Sequence, residues 1–372
     1  MFNLGQIKRF DGVIFFLTLF LIIVGLLAQY SLSLSPNESK IGDFKKQSIF
    51  VIVGLIIFLI IILTDFRFVR SSAYLIYLLT LFLLIGVLFF GESLRGVRGW
   101  LNFGFFRFQP AELAKLTAII TLAKFWQEAR KPLSAKHIIF SFILIFPFVF
   151  LILLQPDFGS AAMILVLWFG VLFLVDKNKK HFLFLLIIIL IVSSLSWIMF
   201  LQDYQKDRIL TYLNLQNDPL NNGWQTKQSI VAVGSGRVLG RGFGLGTQSQ
   251  LKFLPAGETD FIFAVLAEEF GFIGSSFLLI IYTLLYYRLI KVSQMIYDNF
   301  GVILVLGTMI SLFFQTFINI GMNLGLVPVV GVPLPFLSYG GSSLLVSIIL
   351  IALVESVIMY QPFTKYEDML KL

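Results

Sequence analysis

Long apolar runs alternate with short polar breaks along almost the whole chain. A helix needs roughly 20 mainly apolar residues to cross about 30 Å of hydrocarbon. Runs of about that length fall at Gly12–Tyr30, Ser48–Thr64, Ala73–Phe90, Ala111–Trp126, His137–Leu154, Ser160–Val175, His181–Phe200, Asp260–Leu289, Gly301–Leu324 and Ser342–Met359. The pattern predicts an all-α polytopic membrane protein with about ten transmembrane helices in one domain over 1–372. The fourth run is the least apolar, because it carries Glu112, Lys115 and Lys124. No ten-residue alternation points to a barrel. One long polar, glycine-rich segment, about 201–259, follows the seventh run.

Composition agrees. The 372 residues are 58% hydrophobic and 13% charged, where a soluble domain would carry about 25% charged residues. Lys8, Arg9, Arg67, Arg70, Arg130, Lys131, Lys136, Lys177, Lys179, Lys180, Arg288, Lys291, Lys365 and Lys371 fall on one side of the predicted spans. The short loops opposite hold fewer cations, so the positive-inside rule puts both termini in the cytoplasm and the long segment outside. The net charge of +8 is mostly this bias. It implies no nucleic-acid partner, since no basic stretch is interleaved with stacking aromatics. Cysteine is absent, which excludes disulfides and thiolate metal sites. The first apolar run is too long for a cleaved signal, so a retained helix is expected.

Polar residues gather in four places, all on the expected outer side. Asp260 is the most informative. It ends the long polar segment and begins an apolar run, and a carboxylate at such a boundary is costly to desolvate. Upstream, Arg98 precedes Gln109-Pro110-Ala-Glu112-Leu-Ala-Lys115; Pro110 suits a first helical turn, and Glu112 and Lys115 share a face and can pair. Asp157, in Gln155-Pro-Asp157-Phe-Gly-Ser160, suits a cap on the next helix. In the long segment, glycines allow close backbone approach, and Arg237 and Arg241 are candidate phosphate cations. Finally Gln315, Asn319 and Asn323 form one polar stripe before a Pro- and Gly-rich stretch through Ser338. That stretch is expected to dip into the protein, because irregular backbone at membrane depth needs cover. Glu268 and Glu269 are rotated by roughly 80° and 180° from Asp260 along a helix, so packing within the bundle suits them better than a shared cavity. Glu355 is expected to snorkel at the inner end of the last helix.

These motifs together resemble the SEDS family of shape, elongation, division and sporulation proteins. The matching pieces are Phe108-Gln-Pro-Ala-Glu112-Leu-Ala-Lys115, Gln155-Pro-Asp157-Phe-Gly, Gln228-Ser-Ile-Val-Ala-Val-Gly-Ser-Gly, Thr259-Asp260-Phe-Ile-Phe-Ala-Val and Pro333-Leu-Pro335-Phe-Leu-Ser338-Tyr-Gly-Gly-Ser-Ser343. The stretch Gly246-Thr-Gln-Ser-Gln-Leu is more similar to the RodA branch than to the FtsW branch. The resemblance implies a peptidoglycan glycosyltransferase that polymerises lipid II at the outer face of the bacterial cytoplasmic membrane. It also implies a class B penicillin-binding protein as partner. Asp260 matches the family's essential aspartate; Glu112, Lys115 and Asp157 match cavity positions, and Lys46 a cationic one. Two departures stand out: Glu258 where His is common, and Arg237 where Gly is common.

The chemistry is economical. A lipid pyrophosphate is a good leaving group that needs cations rather than an acid, and the acceptor hydroxyl needs a base. Asp260 is the expected base. Lys46, Arg98, Glu112, Lys115, Asp157 and Ser338 form the expected substrate-binding set. Glu258 and Asp260 are two carboxylates two residues apart: either Glu258 points to water, or a divalent ion such as Mg²⁺ or Mn²⁺ relieves their repulsion. The competing readings are a flippase for the lipid-linked precursor and a structural scaffold. A flippase would hold its polar site near the bilayer midplane, whereas these clusters sit at the helix ends; a scaffold leaves Asp260 unexplained.

Overall fold

The computed structural model describes residues 8–35, 41–94, 96–104, 106–129, 134–175 and 222–361. The seventh predicted span, His181–Phe200, lies outside them. Asp11 opens the first helix, accepting from the N–H groups of Val13 and Ile14 at 3.1 and 3.3 Å. In chain order follow α1 (Gly12–Ser33), α2 (Ile41–Ile62), the short α3 (Phe66–Ser71), α4 (Ala73–Phe90), strands β1 (Glu92–Leu94), β2 (Val97–Asn102) and β3 (Arg107–Phe108), then α5 (Pro110–Glu128), α6 (Ala135–Leu153) and α7 (Phe158–Val175). Within the long segment lie α8 (Asn222–Ser235) and the single turn α9 (Thr247–Gln250), and after it come α10 (Ile262–Ser293), α11 (Asn299–Asn323) and α12 (Gly341–Tyr360).

Eight of these helices, α1, α2, α4, α6, α7, α10, α11 and α12, are long and apolar enough to cross a membrane. Charge keeps α5 out of that group, and its position explains the charge. It is buried along most of its length, packed among α4, α6, α7, α11 and α12, so its polar groups meet protein rather than lipid. The all-α expectation holds for this body. A small antiparallel sheet of order β1-β2-β3 is added between α4 and α5, in a stretch expected to be loop. It pairs Ser93 with Arg98 and Leu101 with Phe108. The second span starts at Ile41 rather than Ser48, so Lys46 lies inside the helix.

Two larger differences concern the long segment and the eighth span. The segment is not a simple surface loop, since α8 packs on α10 and α11. The eighth span is broken: Gly271 takes φ 65° and ψ −161° inside α10. A break leaves backbone groups needing partners, and residues 237–242 supply them. Arg241 and Gly242 N–H groups donate to the carbonyls of Glu268 and Glu269 at 2.9 and 3.0 Å; Phe272 and Ile273 donate to those of Arg237 and Val238 at 2.9 and 3.2 Å. The approach is too close for side chains. A Cβ on Gly240 would lie 2.1 Å from the Glu269 carbonyl oxygen, and one on Gly271 2.3 Å from the Gly240 nitrogen.

The break also redirects the helix. Gln29 and Ser31, two residues apart on α1, bond to the Glu258 carbonyl at 2.9 Å and to the Glu269 carboxylate. The end of α1 therefore meets both the approach to α10 and the part of α10 just before the break.

Candidate active site

Asp260 is half-buried, and its backbone is held from below. The side-chain amides of Asn319 and Asn323 both donate to its carbonyl oxygen, at 2.9 and 3.0 Å. The Asn319 amide also reaches the Val332 carbonyl at 2.8 Å, and the Asn323 amide oxygen accepts from the Ala264 N–H at 3.0 Å. The polar stripe on α11 is thus a clamp. It ties the start of α10 to the irregular stretch before α12, which dips into the protein as expected: Leu334, Phe336 and Leu337 are buried. Neutral amides fix the position without adding a counter-charge.

Ser338 continues the clamp. Its hydroxyl donates to the Thr259 carbonyl at 2.6 Å and accepts from the Leu334 N–H at 2.8 Å, so it positions the residue beside Asp260. Sequence reasoning missed the partner across the cleft, Gln47 on α2. Its amide donates to the Ser338 carbonyl and accepts from the Gly340 N–H, both at 3.2 Å. Lys46, the preceding residue, is exposed.

Tyr339 was also missed. Its N–H donates to the Glu258 carbonyl at 2.8 Å. Burial, then the charge of Asp43 and a hydrogen bond to it, push its phenol up to about 12; Arg107 pulls it down and Glu258 adds a smaller push upward. Asp43, Arg107 and Glu258 therefore all lie within electrostatic reach of the Tyr339 phenol. No sequence spacing announces this group, because four separate segments supply it.

Glu112 and Lys115 pair at 2.7 Å with side chains 4% and 3% exposed. The expected pairing is present, and it leaves the Lys115 ammonium enclosed. Asp157 does two jobs. It caps α7 through the Ser160 N–H at 2.9 Å and hydroxyl at 2.8 Å, and it accepts from the Gln109 amide at 3.1 Å. Arg98 closes the end of α4, donating to the carbonyls of Gly91 and Phe89 at 3.0 and 3.1 Å. That contact gives its guanidinium a structural task the sequence did not suggest.

Glu268 and Glu269 are pinned inside, away from Asp260. Glu268 accepts from the N–H groups of Gln248 and Ser249 at 2.8 and 2.9 Å, holding the start of α9. Glu355 does not snorkel. It is 0% exposed and accepts from the Asp11 N–H at 3.0 Å, because neighbouring helix ends seal it from water. Arg237 holds φ 50°, a left-handed backbone that costs a residue with a side chain about 1 kcal/mol relative to glycine.

For a divalent ion the donor set is thin. Among the described residues no group of three or more His, Cys, Asp or Glu gathers. Glu258 and Asp260 offer two carboxylates, which suits Mg²⁺ bound jointly with water and phosphate oxygens and does not suit an all-protein cage.

The chain matches the FtsW/RodA/SpoVE cell cycle protein family over residues 12–362. It is 37% identical over 330 residues to the peptidoglycan glycosyltransferase MrdB of Escherichia coli K12, covering 88% of this chain and 89% of that protein. It is 35% identical over 363 residues to the stage V sporulation protein E of Bacillus subtilis, covering 95% and 98%. Its structure superposes with a TM-score of 0.80, at 30% identity and 95% and 99% coverage, on a chain from a structure on the coordination of polymerization and crosslinking by a peptidoglycan synthase complex. The Thermus thermophilus rod shape determining protein RodA superposes with a TM-score of 0.72 at 29% identity, with 95% and 98% coverage. The chain is a bacterial multi-pass membrane protein that belongs to the FtsW/RodA/SpoVE family.

Proposed function

We propose that this protein is the lipid II polymerase of a cell-wall synthase, building glycan strands on the outer face of the cytoplasmic membrane. The observation that carries the reading is the double amide clamp on the Asp260 carbonyl. It fixes a carboxylate at the mouth of the bundle while leaving its charge unneutralised by the clamp. In the proposed step, Asp260 takes the proton from the acceptor sugar hydroxyl. That oxygen bonds to the anomeric carbon of the donor, and the bond from that carbon to the lipid pyrophosphate breaks with inversion. The pyrophosphate leaves with its electron pair, so no acid is needed on that side. Exposed Lys46 is the cation assigned to meet it. A divalent ion, held by Asp260, Glu258 and phosphate oxygens, would supply further positive charge.

The partner in this reading is a class B penicillin-binding protein that crosslinks the strands, in keeping with the synthase complex whose chain this fold matches. The test is polymerisation of labelled lipid II by the purified full chain, alone and with that transpeptidase. Long glycan products are expected with the partner present. Folded protein that makes none in either setting, yet moves labelled lipid II across vesicles, would favour the flippase instead.

A further inference from the structure

The break in α10 creates a second feature, at the lipid-facing surface. Below Gly271, the residues Ile273, Phe277, Ile280, Leu284 and Tyr287 are exposed and recur at helical spacing, so they form one apolar stripe. Exposed Lys291 marks its inner end. Phe272, also exposed, lies 19 residues away, about 28 Å of helix against about 30 Å of hydrocarbon. The outer edge of the hydrocarbon therefore falls at the break. Arg237 is anchored there, because its carbonyl accepts from the Phe272 N–H at 2.9 Å.

Three properties of this position point the same way. Arg237 is exposed, and its side chain makes no hydrogen bond or ion pair among the described residues. Its neighbours Val238 and Leu239 are 59% and 79% exposed, beside the top of the stripe. Its backbone is left-handed, a conformation in which glycine is the unstrained residue. A costly residue with no internal partner is explained by an external one. Exposed Arg241, on the same turn, directs its Nε to the Ser235 carbonyl and hydroxyl at 3.3 and 3.2 Å, which keeps a second guanidinium nearby.

We propose that Arg237 binds the phosphate of an anionic phospholipid in the leaflet on the Asp260 side, with the acyl chains lying along Phe272, Ile273 and Phe277. A guanidinium at headgroup depth above an apolar stripe matches such a lipid in both charge and length. The site anchors the junction between the long outer segment and α10, and it is independent of the polymerase reading.

The test uses the purified full chain in detergent, incubated with phosphatidylglycerol or with phosphatidylcholine of the same acyl length. Retained lipid is counted by native mass spectrometry. The parent should retain phosphatidylglycerol in preference. Arg237→Gly should lower that retention about fivefold, the worth of one cation at a membrane surface, while its unfolding temperature without lipid holds or rises. Arg237→Lys should keep part of the preference. Unchanged retention in Arg237→Gly, equal loss of both lipids, or a lower unfolding temperature without lipid would overturn the proposal. So would displacement of the bound lipid by a polyprenyl diphosphate alone or by the partner's transmembrane helix.

Discussion

The two ends of the bundle handle polar groups in opposite ways. At the end away from Asp260, the inner end expected from the loop charges, charges answer charges. Arg288 meets Asp11 at 2.8 Å, Asp11 donates its N–H to Glu355, and Arg70 meets Asp298 at 3.4 Å. At the outer end, neutral amides from Gln29, Gln47, Asn319 and Asn323 grip backbone carbonyls around Asp260. The inner groups tie α1, α10 and α12 together. The outer groups fix the backbone that carries Asp260. Substitutions inside should therefore cost stability, and substitutions around the clamp should also cost chemistry.

The largest effect is expected where the outer end does bury a charge pair. Lys115→Met strands the Glu112 carboxylate and should destabilise the protein by about 3–5 kcal/mol. Adding Glu112→Gln should recover much of that loss, measured by thermal unfolding in detergent. Additive losses would mean that the pair is not the unit of stability.

Loosening the clamp comes next. Asn323→Leu removes donors from the carbonyls of Asp260 and Asn319 and should cost about 1–3 kcal/mol. Polymerisation per folded molecule should fall by more than tenfold, since a small misplacement of a catalytic group is expensive (about 100-fold for 1 Å). Equal activity per folded molecule would reduce the clamp to helix packing. Arg288→Met, at the other end, should lower the unfolding temperature by the equivalent of about 1–2 kcal/mol and leave activity per folded molecule unchanged.

The smallest effect belongs to Tyr339. Its phenol is raised, to about 12. The sign follows: its stabilising contribution is complete below about pH 10, the ordinary phenol value, and is lost as pH rises toward 12. Tyr339→Phe should thus leave the pH profile of polymerisation between 6 and 9 without a new step. A shifted limb there would place Tyr339 in the chemistry.

The sequence displayed the spans because run length and apolar content report the bilayer directly. It also displayed the boundary position of Asp260 and, from spacing on a single helix, the Glu112–Lys115 pair. Features made between distant segments were not legible. The break at Gly271 looks like continuous apolar helix until residues 237–242 are laid against it. Gln47 and Asp43 sit in the polar first turns of α2, where an apolar count starts too late. Glu355 looks like a snorkelling carboxylate until Asp11, from the other end of the chain, meets it. The bond that the Ser338 hydroxyl makes to the Thr259 carbonyl joins residues 79 apart and has no trace in the sequence.

Asp260 itself is the residue on which the polymerase reading stands. Asp260→Asn keeps the shape and the backbone carbonyl that the two asparagines hold, so the purified variant should unfold at the parental temperature. Assayed with labelled lipid II and the transpeptidase partner, it should lose at least about a hundredfold in strand synthesis, the lower range for a general base. Glycan strands made at near the parental rate by this folded variant would contradict the assignment of Asp260 as the base.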